Sequence, residues 1–130
     1  MSSERGTAGL SIPEVVTAAR NLMDRTDPAT AGLWPRATAL LARQALESAL
    51  DDFWKVRSPG MEQCSMKAQL LCLLHFLGDE ELAERVSYAW AGLSGACHQH
   101  PYELPPTSAE LLGWLGTVDE LVASVKAVGT

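Results

Sequence analysis

The feature that most constrains this chain is the run from about Trp34 to Arg57, where charged and apolar residues sort onto opposite sides of one helix. Arg36, Arg43, Glu47, Asp51 and Lys55 recur at helical spacing and form a wet stripe with i,i+4 pairs. Ala42, Leu46, Ala49, Leu50 and Phe53 line the opposite side. This is a long helix for a chain of 130 residues. An apolar stripe of that length is stable in water only when other elements cover it. The run therefore predicts a principal wall of a helix-on-helix core.

The flanking segments read as further helices. Ser11-Ile12-Pro13-Glu14 is a start signal: Ser11 caps, Glu14 holds the capping-box position and Pro13 is tolerated in a first turn. The first helix is expected to run to about Arg25, with Val15, Ala19 and Leu22 inward, before Asp27-Pro28-Ala29-Thr30-Ala31-Gly32 breaks it. After Ser58-Pro59-Gly60 a third helix is expected from Met61 to Leu77, with Gly78 at its C′ position. From Ala68 to Leu77 only Gln69 and His75 interrupt its apolar character, a pattern that predicts the central helix of a bundle. Asp79 caps a fourth helix whose inward residues are Leu82, Val86, Ala89, Trp90, Leu93 and Cys97. Thr107-Ser108-Ala109-Glu110 is a second capping box, opening a fifth helix with Leu111, Leu115, Val118, Val122 and Val125 inward. No segment alternates as a half-buried strand does, and there is no internal repeat. The expected fold class is all-α: a single-domain bundle of about five helices over residues 11–130, preceded by a frayed, flexible N-terminus at residues 1–10.

Composition narrows the function classes. With 47% apolar residues the chain can bury a core without disulfides or metal. The start, Met1-Ser2-Ser3-Glu4-Arg5-Gly6, lacks the basic-then-apolar pattern of a signal peptide. Its three cysteines are then expected to be free thiols in a reducing, cytoplasmic compartment. Lys67 and His75 bracket the longest apolar run, which is too short to span a bilayer, so no membrane association is expected. The net charge of −6, with the bases scattered, argues against nucleic acid as a direct high-affinity ligand.

The densest chemistry lies in Ala96-Cys97-His98-Gln99-His100-Pro101-Tyr102-Glu103-Leu104-Pro105-Pro106-Thr107, between the fourth and fifth helices. Cys97, His98 and His100, joined by Cys72 and His75 from the third helix, would supply ligands for a tetrahedral metal if the two regions met. The plainer reading is that the thiols pack as small hydrophobes and the histidines are ordinary polar groups. Cys97 and His98 are a weak nucleophile–base pair, because adjacent helical residues point about 100° apart. A helix C-terminus also disfavours a thiolate. His98 closes a strip of small residues, Ser87, Ala91 and Ser94, and is read either as a cap or as a contact. Tyr102 and Leu104 are expected to dock into the core, with a recognition loop as the alternative. Trp34, Trp54, Trp90 and Trp114 are read as core or rim anchors.

The order of these pieces resembles the HEPN superfamily of helical domains. Leu40-Leu41-Ala42-Arg43-Gln44-Ala45-Leu46-Glu47-Ser48-Ala49-Leu50 is similar to the family's early L-x-R-x-A-L-E-x-x-L helix. Leu93-Ser94-Gly95-Ala96-Cys97-His98, followed by Pro106-Thr107-Ser108-Ala109-Glu110-Leu111, falls in the order of the family's later helices. The resemblance covers roughly Trp34 to Val128 and implies an up-and-down bundle, with homodimerisation through helices. Many such domains are metal-independent ribonucleases built on an arginine, four to six residues, then a histidine. His98 matches the histidine. Ala91, Gly92 and Leu93 hold the expected arginine places, and Arg85 lies further upstream.

The resulting expectation is a cytoplasmic, non-catalytic accessory or adaptor module of a bacterial conflict system. It would bind a protein partner through His98, His100, Tyr102 and Glu103 and require no cofactor. The alternatives are a HEPN-type ribonuclease using His98 and a metal-dependent bundle enzyme using Cys97, His98 and His100.

Overall fold

The computed structural model describes residues 10–24, 34–98 and 104–129. They form five α-helices, α1 (Ile12–Met23), α2 (Trp34–Arg57), α3 (Met66–Phe76), α4 (Glu80–Cys97) and α5 (Ser108–Gly129), with one 3₁₀ turn at Met61–Gln63. No strand occurs among the described residues. The all-α bundle is as the patterning predicts.

The start signals act as caps. The Glu14 N–H donates to Ser11 Oγ (3.3 Å) while the Ser11 N–H donates to Glu14 Oε1 (2.8 Å). Thr107 and Glu110 repeat the device at α5, at 2.9 and 3.1 Å. At α4 the Leu82 N–H donates to Asp79 Oδ1 (3.0 Å). The first helix stops at Met23 with Asp24 as its C-cap, and Arg25, where it was expected to end, lies outside the described residues.

α2 is the hub, in contact with α1, α4, α5 and the 3₁₀ turn. Its buried side carries Ala39, Ala42, Ala45 and Ala49 among Leu46, Leu50, Phe53 and Trp54. Alanines at these positions let neighbouring helices approach closely, while the large residues fill the space between them. α4 runs antiparallel to α2: Arg43 meets Trp90, whereas Trp54 near the other end of α2 packs edge-on against Phe76, just before α4 begins. α5 runs antiparallel to α4, because Arg85 pairs with Glu120 and Gly92 lies under Trp114. Arg20 ties α1 to the same stretch of α5 through Asp119 (2.7 Å). The up-and-down order of α2, α4 and α5 follows.

Two expectations about the third helix fail. The segment from Met61 is not one helix, since Cys64 and Ser65 take extended conformations between the 3₁₀ turn and α3. Ser65 then caps α3, accepting from the Ala68 N–H (3.2 Å). Gln69, which reads as a polar interruption, is buried and donates from Nε2 to the carbonyls of Cys64 (2.9 Å) and Glu62 (3.3 Å). That bond pair holds the 3₁₀ turn on the helix. Nor is α3 central: it packs on α4 and buries only Gln69 and Leu73, leaving Leu71 and Leu74 exposed. An 11-residue helix covers too little to enclose a core already walled by longer ones. Gly78 does close α3 as expected, with φ +80°.

Candidate functional site

The candidate site is the end of the bundle where α4 stops and α5 starts. His98 is the C-cap of α4, and its N–H donates to the carbonyls of Gly95 (3.2 Å) and Ser94 (3.3 Å). Its side chain is exposed while that of Cys97 is buried. The thiol therefore points to the core and the imidazole to water, which separates the two as a nucleophile–base pair. Ser94, one turn earlier, is half-buried, and its Oγ is buried without a hydrogen-bond partner among the described residues. Ser87 is half-buried and Ala91 exposed, so the small strip lies at the border between packed and wet surface.

His100, Tyr102 and Glu103 lie outside the described residues. Leu104 is described, and it corrects the docking expectation: its side chain is 92% exposed. Three residues on, Thr107 caps α5. Leu104 and His98 are both exposed, one shortly before α5 and the other at the end of α4.

The other expected ligands do not join it. Cys72 is half-buried on α3 and His75 is exposed. Among the described residues, no three His, Cys, Asp or Glu side chains gather as metal ligands. Arg85, the arginine upstream of His98, is engaged elsewhere. Its guanidinium donates to both carboxylate oxygens of Glu120 (2.6 and 2.8 Å) and holds α4 against α5. That pairing draws the Glu120 carboxyl below its ordinary range.

The i,i+4 pair of Arg43 and Glu47 is as the spacing predicts, but its cover by Trp90 was not foreseen. The Arg43 guanidinium lies 4.8 Å from the centroid of the Trp90 ring, and Arg43 Nε is 3.8 Å from Glu47 Oε2. The stripe expected to be wet is thus half-covered where α2 meets α4. Burial pushes the Glu47 carboxyl upward, Arg43 opposes that and Asp51 adds to it. Neither helix alone signals the contact with Trp90, because it exists only once the two are docked. The four tryptophans do sit as expected, Trp54 and Trp114 buried and Trp34 and Trp90 half-buried.

No helix among the described residues is long and apolar enough to cross a membrane. Compared with known proteins, the chain matches no family model, no curated protein and no solved structure. The class defined by the fold is therefore an all-α helical bundle, and its activity has to be argued from surface chemistry.

Proposed function

We propose that this protein is a small, non-catalytic helical interaction module, an accessory or adaptor component of a bacterial conflict system of the defence or toxin–antitoxin kind. The observation that carries the association reading is Leu104, 92% exposed at the same end of the bundle as the open imidazole of His98. We read the pairing of an apolar and a polar exposed side chain at one end of the bundle as the start of a contact surface. His100, Tyr102 and Glu103 belong to the intervening segment and complete the proposed surface. The conflict-system setting rests on the order of motifs shared with HEPN domains, and pairing of two copies through helices is part of the same reading. The buried thiol of Cys97 and the commitment of Arg85 to Glu120 favour association over cleavage.

The test is a pull-down of the tagged protein from its native cell, identifying both proteins and RNA, repeated with His98→Ala and Leu104→Ser. The expected result is a near-stoichiometric protein partner that both variants lose while retaining the helical circular dichroism signal. RNA recovered without a protein, and cut by the pure chain in a manner that His98→Ala abolishes, would overturn this reading in favour of a metal-independent ribonuclease.

A further inference from the structure

The two glycines with left-handed φ among the described residues, Gly60 (+106°) and Gly78 (+80°), bracket the segment that carries the 3₁₀ turn and α3. Both are exposed, so the chain can rotate there without disturbing packed side chains, and a residue with no Cβ has the widest choice of backbone angles. Between these hinges the segment is tied to itself. Gln69 Nε2 donates back to the carbonyls of Glu62 and Cys64, which couples the turn to the helix. Its hold on the rest of the bundle is slight. From Gly60 to Gly78 only Gln69 and Leu73 are buried, and half-buried Phe76 meets Trp54 edge-on at 5.4 Å between ring centroids. Gln69, Leu73 and Phe76 follow at spacings of four and three, so they form one inward face of α3. The seat of that face is poorly satisfied. Gln69 Oε1 and the Nε1 of fully buried Trp54 have no hydrogen-bond partner. A buried polar group without a partner carries a desolvation penalty that water relieves once the group is exposed.

We propose that residues 60–78 are a hinged flap that opens as one unit while α1, α2, α4 and α5 stay folded. The four remaining helices contact one another directly, α1 with α2 and α5, and α2 and α5 each with α4, so lifting the flap removes no wall between them. Opening takes Phe76 off Trp54 and lets water reach both unpartnered groups. It also presents an aromatic surface with an indole N–H donor that the closed form hides. Two terms favour the open state, the relieved polar groups and the regained chain entropy, against one fully buried leucine and the edge of one ring. The flap joins the N-terminal end of α4, whereas His98 caps the other end, so the motion does not depend on the surface proposed there.

Amide hydrogen exchange of the full chain in rising, sub-denaturing urea tests the proposal. The amides of α3 from Leu70 to Phe76 are expected to share one opening equilibrium, to exchange at least about tenfold faster than those of Leu46 and Leu50 in α2, and to show a weaker urea dependence. Two variants separate a flap from global unfolding. Leu73→Ala empties the seat of the flap and should speed exchange throughout α3 by about tenfold or more. Leu46→Ala weakens the bundle that stays folded in both states, so it should speed exchange in α2 and leave that of α3 unchanged. Acceleration of α3 in step with α2 in Leu46→Ala would show that the segment opens only when the whole chain unfolds, and would overturn the proposal. Exchange graded inward from the ends of α3, with no common urea dependence, would overturn it as well, by reducing the motion to fraying.

Discussion

α2 and α3 use their apolar residues in opposite ways. α2 has 24 residues and a charged stripe, yet it is the element that α1, α4 and α5 all touch, and its Leu46, Leu50, Phe53 and Trp54 are fully buried. α3 has 11 residues that are apolar almost all round, yet only Leu73 among its leucines is buried and Leu71 and Leu74 stand in water. Reach separates them. A helix with buried residues along its full length, and alanines that admit neighbours, can be walled on several sides at once. A short helix rich in leucine can cover one side of one neighbour, and its remaining apolar surface has to be left exposed or given to a partner.

The largest effect should come from the centre of that contrast. Leu46→Ala in α2 removes a side chain with no exposure, and is expected to cost about 2–5 kcal/mol in urea denaturation. Leu71→Ala in α3 should stay within about 0.5 kcal/mol of wild type, as surface substitutions do. If Leu71→Ala also costs several kcal/mol, α3 is buried in the working state of the protein and the distinction drawn between the two helices collapses.

Two glycines of α4 give a second, smaller contrast, with opposite signs. A Cβ on Gly92 would run into Cζ2 of Trp114 and stand 2.7 Å from Cη2 and 2.8 Å from Cε2 of the same buried ring. A Cβ on Gly95, one turn nearer the end, would meet nothing within 4 Å. Gly92→Ala should therefore destabilise by about 1–3 kcal/mol, less the helix-propensity gain of about 1 kcal/mol. Gly95→Ala keeps that gain and should raise the melting temperature. Equal shifts in the two variants would show that the Trp114 ring moves freely.

The ion pair of Arg85 with Glu120 ranks next. Both side chains are more than a third exposed, so Arg85→Gln should cost only ~0.2–1 kcal/mol at neutral pH. The sign of its pH dependence is fixed by the lowered Glu120 carboxyl. Stability from the pair is fully present above the ordinary carboxylate value of 4.5 and is lost as pH falls through the lowered one. Thermal melts of wild type and Arg85→Gln should converge in acid; a difference that persists there would assign the effect to lost packing of the arginine stem.

The caps at Ser11, Asp79 and Thr107 and the inward faces of α2, α4 and α5 were legible because capping and helical periodicity are local properties, written within a few residues of each other. The position of α3 was not. Average hydrophobicity says that a helix resists water, and says nothing of how many neighbours have room for it. Gln69 misled for a related reason: its carbonyl partners at Glu62 and Cys64 come from a turn that exists only because Ser65 restarts the helix. At the candidate site, His98 was placed correctly at a helix end, but the exposure of Leu104 was not legible, because a leucine between two helices reads equally as an anchor or as surface.

Glu47 sets the finest test, because it lies where the charged stripe of α2 passes under α4. Burial raises its carboxyl, with Asp51 adding and Arg43 opposing. A raised carboxyl means that the folded chain holds a proton more readily than the unfolded one. Its stabilising contribution is therefore present below the unfolded value and is lost as pH rises through the folded one, so that at neutral pH the ionised group works against folding. The side chain is 43% exposed and Arg43 lies beside it, so the penalty is small. Glu47→Gln should raise stability by no more than about 0.5 kcal/mol at pH 7, and have no effect in acid, where both forms are neutral. A loss of stability at pH 7 instead would show that the bond to Arg43, and with it the stacking of the guanidinium on Trp90, outweighs the cost of covering the charge. The α2–α4 junction would then be held by its polar stripe as well as by its leucines.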